Sequence, residues 1–245
     1  MESMNQWLFP PQVCALPSGS LQIWRTRLDL CSDSLSAYSE LLSHDERSRA
    51  KRFVLTRDHD RFVVSRGTLR LLLGRYLQIP PDSARIEEGP QGKPFVVGNR
   101  LSFDLKFSLS HSHGLAVFAF TKDKEVGIDL EKIRLDFASR EIAQRYFSSQ
   151  EVSELDALTP QLYAAGFFQC WTRKEAYVKA RGQGLQIPLD SFSVSLAPER
   201  PPELLASDSD DWSIYSFEPF AGYAAAVVAE KDNWTLSFFD DSALR

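Results

Sequence analysis

The sequence predicts an α+β fold of two similar halves, each a small sheet packed on a long helix, related by pseudo-twofold symmetry. Three observations predict it. "LQIPPDS" at 77–83 returns as "LQIPLDS" at 185–191, 108 residues later. The same offset carries Gly114 of "HGLAVFAF" onto Gly222 of "AGYAAAVV", and two matches in one order at one spacing mark an internal repeat. Each half also combines short apolar runs of strand character with one long helical stretch, the pattern of sheet packed on helix. The halves meet near Lys124, giving units 1–124 and 125–245.

In the first half the pattern predicts a strand at 21–28 ("LQIWRTRL"), helices over 44–53 and 58–77, and strands near 84–88, 94–97, 103–110 and 114–121. The second half opens on a strand at 125–131 ("EVGIDLE"). Helices follow over about 137–146, 149–157 and 161–181, then strands near 191–197, 212–218, 222–230 and 234–239. The stretch "LYAAGFFQC" at 162–170 is apolar nearly all round, so its helix is buried on most sides. Gly182 and Gly184 supply a left-handed stop, with Pro188 just beyond. "TKDKE" at 121–125 is a polar turn, and 195–211 is the most loop-like stretch, a surface excursion.

Composition narrows the function classes. A chain of 245 residues with 43% hydrophobic and 25% charged residues is ordinary for a soluble globular protein. The net charge of −5 argues against a general nucleic-acid binder. No apolar run reaches the length of a membrane span, and "MESMNQWLFPP" lacks the regions of a signal peptide. Cys14, Cys31 and Cys170 form no metal spacing and fit reduced thiols in a cytoplasm. Cys170 lies in the most apolar part of its helix and reads as a buried thiol rather than a nucleophile. Charge is uneven, however. Arg47, Arg49, Lys51, Arg52, Arg57, Arg61, Arg66, Arg70 and Arg75 stand against only Asp58 and Asp60 in that segment. It is either a site for an anionic ligand or a pair of amphipathic helices with solvated cationic faces.

The chemistry concentrates in "WTRKEAYVKARGQG", 171–184. Helical spacing puts Trp171, Glu175 and Lys179 on one arc. Glu175 and Lys179 also have the spacing of an ordinary surface ion pair. The apolar run before them instead places the acid at the edge of a buried region, where a carboxylate needs a partner, a metal or a proton. On 125–131, Val126, Ile128 and Leu130 face one way, and Gly127, Asp129 and Glu131 the other. Two like charges on one strand face are tolerable in water or around a cation. Asp129, Glu131 and Glu175 could thus supply the oxygen ligands of Mg²⁺. Ser110 and His111 sit where a strand gives way to a turn, and Lys93 sits on a glycine–proline turn. They are phosphate holders or ordinary turn residues. The set is that of phosphoryl-type transfer. Neither GxxxxGK[ST] nor GxGxxG is present, which excludes an ordinary NTPase, kinase or Rossmann reading.

"VGIDLE" at 126–131 and "WTRKEAYVKARGQG" at 171–184, with "GKP" at 92–94 and "SLSHS" at 108–112, resemble the signatures of the 4′-phosphopantetheinyl transferases. Length and duplication resemble the monomeric, surfactin-synthetase-activating type, and cyanobacterial and other bacterial members in particular. The resemblance implies transfer of the 4′-phosphopantetheine arm of coenzyme A to a serine of an apo acyl- or peptidyl-carrier protein, releasing adenosine 3′,5′-bisphosphate. It implies that Asp129, Glu131 and Glu175 hold Mg²⁺, and that Glu175 activates the carrier serine, directly or through water. It implies that Lys179 contacts the phosphates, with Lys174 near the adenosine end. Ser110, His111 and Lys93 match residues that grip the coenzyme. Arg61 matches an arginine for the 3′-phosphate, with Arg49 and Lys51 nearby. The expected protein is a cytoplasmic monomer with neither nucleic acid nor membrane as partner. Two other readings stand beside this one: a Mg²⁺-dependent phosphoester hydrolase, in which water replaces the serine, and a non-catalytic module binding the carrier or the coenzyme. The 108-residue offset sets Arg66 opposite Lys174, and Glu218 and Pro219 opposite Ser110 and His111. One site per chain is therefore expected.

Overall fold

The computed structural model describes residues 6–10, 14–98, 101–197 and 200–241. Residues 1–5 and 11 of the leader reading, and 198–199 of the expected excursion, lie outside the described residues. The first half runs β1 (Ser20–Arg27), α1 (Ser32–Leu41), α2 (His44–Ala50), α3 (Thr56–Leu77), β2 (Ile86–Glu88), β3 (Pro94–Val96), β4 (Leu105–Ser112) and β5 (Leu115–Lys122). The second runs β6 (Val126–Lys132), α4 (Arg140–Tyr146), α5 (Ser149–Asp156), α6 (Pro160–Arg181), β7 (Ser193–Val194), β8 (Leu204–Leu205), β9 (Trp212–Phe217), β10 (Tyr223–Glu230) and β11 (Thr235–Asp240). Helix α1 was not expected. Its serine-rich sequence has weak helical propensity, and its buried Tyr38 packs where Gly67 of α3 leaves room. The strand expected at 191–197 is only β7, paired with β8 inside the expected loop. No helix among the described residues is long and apolar enough to cross a membrane.

The two sheets repeat one topology. Their orders are β11-β1-β5-β4 and β6-β10-β9, with β1-β5-β4 and β6-β10-β9 both antiparallel throughout. Gly114 and Gly222, at φ +83° and +82°, make the same left-handed turn before β5 and β10, which anchors the 108-residue offset. The last strand departs from the repeat: β11 crosses back to pair in parallel with β1 of the first half.

Alternation along the strands builds a layered core. Leu21, Ile23, Val117, Ala119, Val126, Ile128, Leu130 and Val227 are buried between the sheets. Trp24, Phe107, Phe118 and Phe120 pack with Leu69, Leu72 and Leu73 of α3. On the other side, Ala224, Ala226 and Val228 pack with Phe167, Phe168 and Ala176 of α6. Gly127 faces α6. A Cβ there would overlap the Ala176 carbonyl oxygen and the Ala180 nitrogen. Glycine thus lets the helix backbone lie directly on β6, which brings Glu175 and Lys179 to Asp129.

A duplicated buried clasp fixes each long helix. Helices α2 and α5 both begin with a capping box, Ser43/Glu46 and Ser148/Glu151. Glu46 accepts from Arg70 Nε at 2.5 Å, and Arg70 also donates to the Pro81, Asp82 and Ala84 carbonyls. Glu151 pairs with Lys174 Nζ at 2.8 Å, and Lys174 donates to the Leu189 and Phe192 carbonyls at 2.7 and 2.5 Å. The glutamates lie 105 residues apart, the cations 104 and the carbonyl turns 108. Left-handed caps at Gln78 and Gly182 end the two long helices, also 104 apart. Four extra residues therefore follow the cap in the second half. This corrects the sequence alignment: Arg70, not Arg66, is the counterpart of Lys174, and Leu71 stands opposite Glu175.

Lys174 is fully buried and Glu151 is 1% exposed, so removing one partner strands a buried charge. Glu151→Ala is expected to cost about 3–5 kcal/mol, read by chemical denaturation. Glu151→Leu combined with Lys174→Met is expected to cost less than Glu151→Ala alone. A double variant at least as unstable as the single one would mean that the charge is not what the clasp satisfies.

Candidate active site

A cleft of about 1030 Å³ opens where β4 of the first half meets β6 of the second. The first half contributes Arg49 from α2, Arg66 from α3, Lys93 from the β2–β3 turn, and Ser110 and His111 from β4. The second contributes Asp129 and Glu131 from β6, Tyr146 and Arg145 from the end of α4, and Glu175 and Lys179 from α6. One wall is thus rich in cations and the other in carboxylates.

Asp129 is 4% exposed. Its Oδ1 accepts from Ser110 Oγ at 2.9 Å and from Lys179 Nζ at 2.7 Å. Its Oδ2 is buried without a hydrogen-bond partner. Glu131 accepts from Ser112 Oγ at 2.7 Å. Among the described residues Glu175 makes no hydrogen bond or ion pair, so the helical pair that the spacing allowed does not form and Lys179 pairs with Asp129 instead. Burial, and then the charge of Asp129, pushes the Glu175 carboxyl above its ordinary range. Burial also raises Glu131, with Asp129 adding to it against the Ser112 hydrogen bond. His111 is held below its usual range by desolvation and then by Lys179.

The carboxylates outnumber the cations that meet them. An orphaned oxygen on Asp129, an unpaired Glu175 and two raised acids fit a divalent cation with a preference for oxygen ligands. No three His, Cys, Asp or Glu groups among the described residues are already closed around an ion position.

The cationic wall is tethered. Arg49 Nη1 lies 2.7 Å from Glu88, and Arg66 lies 3.2 Å from Glu46 and 3.6 Å from Glu88. Lys93 Nζ pairs with Glu125 at 2.7 Å and donates to the Ala180 carbonyl at 3.3 Å. The turn carrying Lys93 is thereby pinned to the C-terminal end of α6. Burial lowers both the Arg66 guanidinium and the Lys93 ammonium from their ordinary values.

The structure brings together Arg49, Lys93, Ser110, His111, Asp129, Glu131, Glu175 and Lys179. It does not bring Lys174, whose ammonium is consumed by the buried clasp. Arg61 stands outside the lining, in a two-point pair with Asp29 at 2.6 and 2.9 Å. Lys51 is exposed at the end of α2 and does not line the cleft. Trp171 packs among Phe137, Tyr146, Phe147 and Phe167 rather than against Glu175. Cys170 is fully buried, with burial raising its thiol well above the ordinary range. Sequence reasoning missed Arg66, Ser112, Arg145 and Tyr146. Ser112 was legible, being two residues beyond Ser110 on the same strand face.

Glu175 has a direct stability consequence. Its folded pKa is raised, so the folded chain disfavours its charged form. That penalty is complete above the folded pKa and gone below the unfolded value near 4.5. In metal-free buffer Glu175→Gln is expected to raise the melting temperature at pH 7 and leave it unchanged near pH 4. A stabilisation that persists undiminished at pH 4 would locate its origin elsewhere.

The sequence is similar to known proteins along most of its length. The 4′-phosphopantetheinyl transferase superfamily pattern matches residues 125–228, and that of the 4′-phosphopantetheinyl transferase N-terminal region matches 29–123. The 4′-phosphopantetheinyl transferase HetI of Nostoc sp. (strain PCC 7120) is 34% identical over 236 residues, covering 96% of this chain and 98% of that protein. The 4′-phosphopantetheinyl transferase Sfp of Bacillus subtilis is 31% identical over 201 residues, covering 82% and 87%. Among solved structures, holo-[acyl-carrier-protein] synthase of Helicobacter pylori in complex with coenzyme A is 22% identical, covering 43% of this chain and 99% of that one, at a TM-score of 0.35. With a relative above 30% identity matched along nearly its whole length, the chain belongs to the 4′-phosphopantetheinyl transferase superfamily.

Proposed function

We propose that this protein transfers the 4′-phosphopantetheine arm of coenzyme A to a serine hydroxyl of an apo acyl- or peptidyl-carrier protein. The observation that carries the reading is a cleft with a wall rich in cations from one half and a wall rich in carboxylates from the other. Such a pair of walls suits a polyanion bridged to acids through a metal. Arg49, Lys93 and His111 face the phosphates in this reading, with Arg66 added by the structure and Ser110 shared between phosphate and Asp129. Asp129, Glu131 and Glu175 would hold Mg²⁺, which when bound supplies positive charge to the pyrophosphate.

The chain's own groups account for the remaining steps. Lys179 neutralises one oxygen of Asp129, donates also to the Ile128 carbonyl, and keeps one hydrogen for phosphate. Glu175 has no hydrogen-bond or ion-pair partner among the described residues, which leaves a carboxylate oxygen to take the serine proton, directly or through water. The serine oxygen attacks the phosphorus that carries the pantetheine arm. The pyrophosphate P–O bond breaks, and adenosine 3′,5′-bisphosphate leaves with the electron pair. Positioning and charge neutralisation lower the barrier. The reading includes a monomer working in the cytoplasm without nucleic acid or membrane.

The test is incubation with coenzyme A, Mg²⁺ and apo carrier protein. A mass gain on the carrier is the expected result. Free phosphopantetheine would indicate hydrolysis, and neither product would indicate a binding module. Asp129→Ala, Glu131→Ala and Glu175→Ala are each expected to lower turnover by at least about a hundredfold, since each removes charge stabilisation worth several kcal/mol. Arg49→Ala and His111→Ala are expected to raise the coenzyme A KM by about tenfold or more, as charge-assisted hydrogen bonds would. Arg61→Ala, with its guanidinium committed to Asp29, is expected to change it less than about threefold. An Arg61 effect as large as that of Arg49 would return Arg61 to the site.

A further inference from the structure

Strands β4 and β6 are edge strands of different sheets, and no backbone ladder joins them. They are joined by hydroxyls. Ser108, Ser110 and Ser112 alternate along β4, and all three are buried. Ser108 Oγ accepts from Ile128 N at 3.1 Å. Ser110 Oγ donates to Asp129 Oδ1 at 2.9 Å. Ser112 Oγ accepts from Lys132 N at 3.2 Å and donates to Glu131 Oε2 at 2.7 Å. His113 Nδ1 lies 3.0 Å from the same hydroxyl and, in the tautomer with hydrogen on Nδ1, donates to its remaining lone pair.

The corresponding junction in the repeat is built otherwise. The antiparallel ladders set Ser108 against Tyr215 and Ser110 against Phe217, one residue before the Glu218 that the 108-residue offset placed opposite Ser110. They set Asp129 against Trp24 and Glu131 against Thr26. There, the outer edge of β1 is closed by the backbone ladder to β11. The hydroxyl seam therefore occurs only at the junction that carries the acids. A fold requirement shared by both halves would not be met by serines in only one of them.

We propose that Ser112, a first-half residue, is a positioning residue for the Glu131 carboxylate of the second half. Its single hydrogen is committed to Oε2, and its lone pairs are anchored on backbone and ring donors. The carboxylate is thus held at a fixed height above β6 with Oε1 left for a ligand. This couples the seam between the halves to the geometry of the metal-binding acids, and it rests on the function proposed above. Hydrogen-bond partners of metal-binding carboxylates of this kind typically account for 10–100-fold in metal affinity.

The test uses Mn²⁺ as a paramagnetic probe, titrated into the full chain with coenzyme A present and followed by electron paramagnetic resonance. Ser112→Ala is expected to weaken Mn²⁺ binding by about tenfold or more. Ser112→Thr, which keeps the hydroxyl, is expected to stay within about threefold of the unsubstituted chain. Ser112→Cys, similar in size but a weak donor, should fall with Ser112→Ala, and it serves if the alanine variant does not fold. Ser108→Ala removes a seam contact that touches no acid. It should lower the melting temperature while leaving Mn²⁺ affinity unchanged. Unchanged Mn²⁺ affinity in folded Ser112→Ala or Ser112→Cys overturns the proposal, as does an equal loss in Ser108→Ala. Absence of Mn²⁺ binding by the unsubstituted chain overturns the reading of the acids as a metal site, and this proposal with it.

Discussion

The cleft depends on the burial of Asp129 among like charges. One of its oxygens is satisfied by Ser110 and Lys179, and the other by nothing among the described residues. A buried carboxylate oxygen without a partner costs about 1–3 kcal/mol or more, and Glu131 and Glu175 add repulsion to that cost. Much of the surrounding architecture places these groups. Gly127 lets α6 lie on β6, Val126, Ile128 and Leu130 root the strand in the core between the sheets, and serines of β4 close its open edge. The fold therefore holds a set of acids that is electrostatically unfavourable by itself and that a cation would relieve.

Duplication explains how the cleft is held, and divergence removes its acids from the matching place in the other half. Both halves keep the same clasp, in which a capping-box glutamate secures a buried cation and the turn beyond the long helix. Its cation is arginine in one half and lysine in the other, yet the carbonyls it reaches are equivalent. The chemistry is not repeated. Trp24, Thr26 and Leu71 stand where the second half has Asp129, Glu131 and Glu175, and the matching edge is filled by β11. Scaffold residues obey the repeat and site residues break it, so comparing the halves separates the two roles within one chain.

Most of the site was legible in the sequence. Period two on 125–131 placed Asp129 and Glu131 on the face opposite the core residues, and the helical arc through 175 and 179 held. The limits have physical causes. Lys174 reads as a site cation because it adjoins Glu175, but neighbours on a helix diverge by about 100°, and its side chain turns into the clasp. The alignment of Arg66 with Lys174 failed because four residues inserted after the helix cap shift the register of α6, whereas β5 and β10 keep the 108-residue spacing. Arg61 followed motif spacing, but its bond to Asp29 depends on a tertiary contact between the end of β1 and α3. Helix α1 escaped because its sequence favours turns, and packing on α3 overrides that preference.

Calorimetric titration of coenzyme A into the chain with Mg²⁺ present tests the central claim most directly. If one cleft, with Arg49, Arg66 and Lys93 from one half and its three acids and Lys179 from the other, is the whole site, the titration gives one coenzyme per chain. Asp129→Asn, which keeps the shape and removes the central charge, then weakens binding with Mg²⁺ far more than binding without it. Two coenzymes per chain, or an Asp129→Asn variant whose affinity is the same as that of the unsubstituted chain in Mg²⁺, would contradict the account.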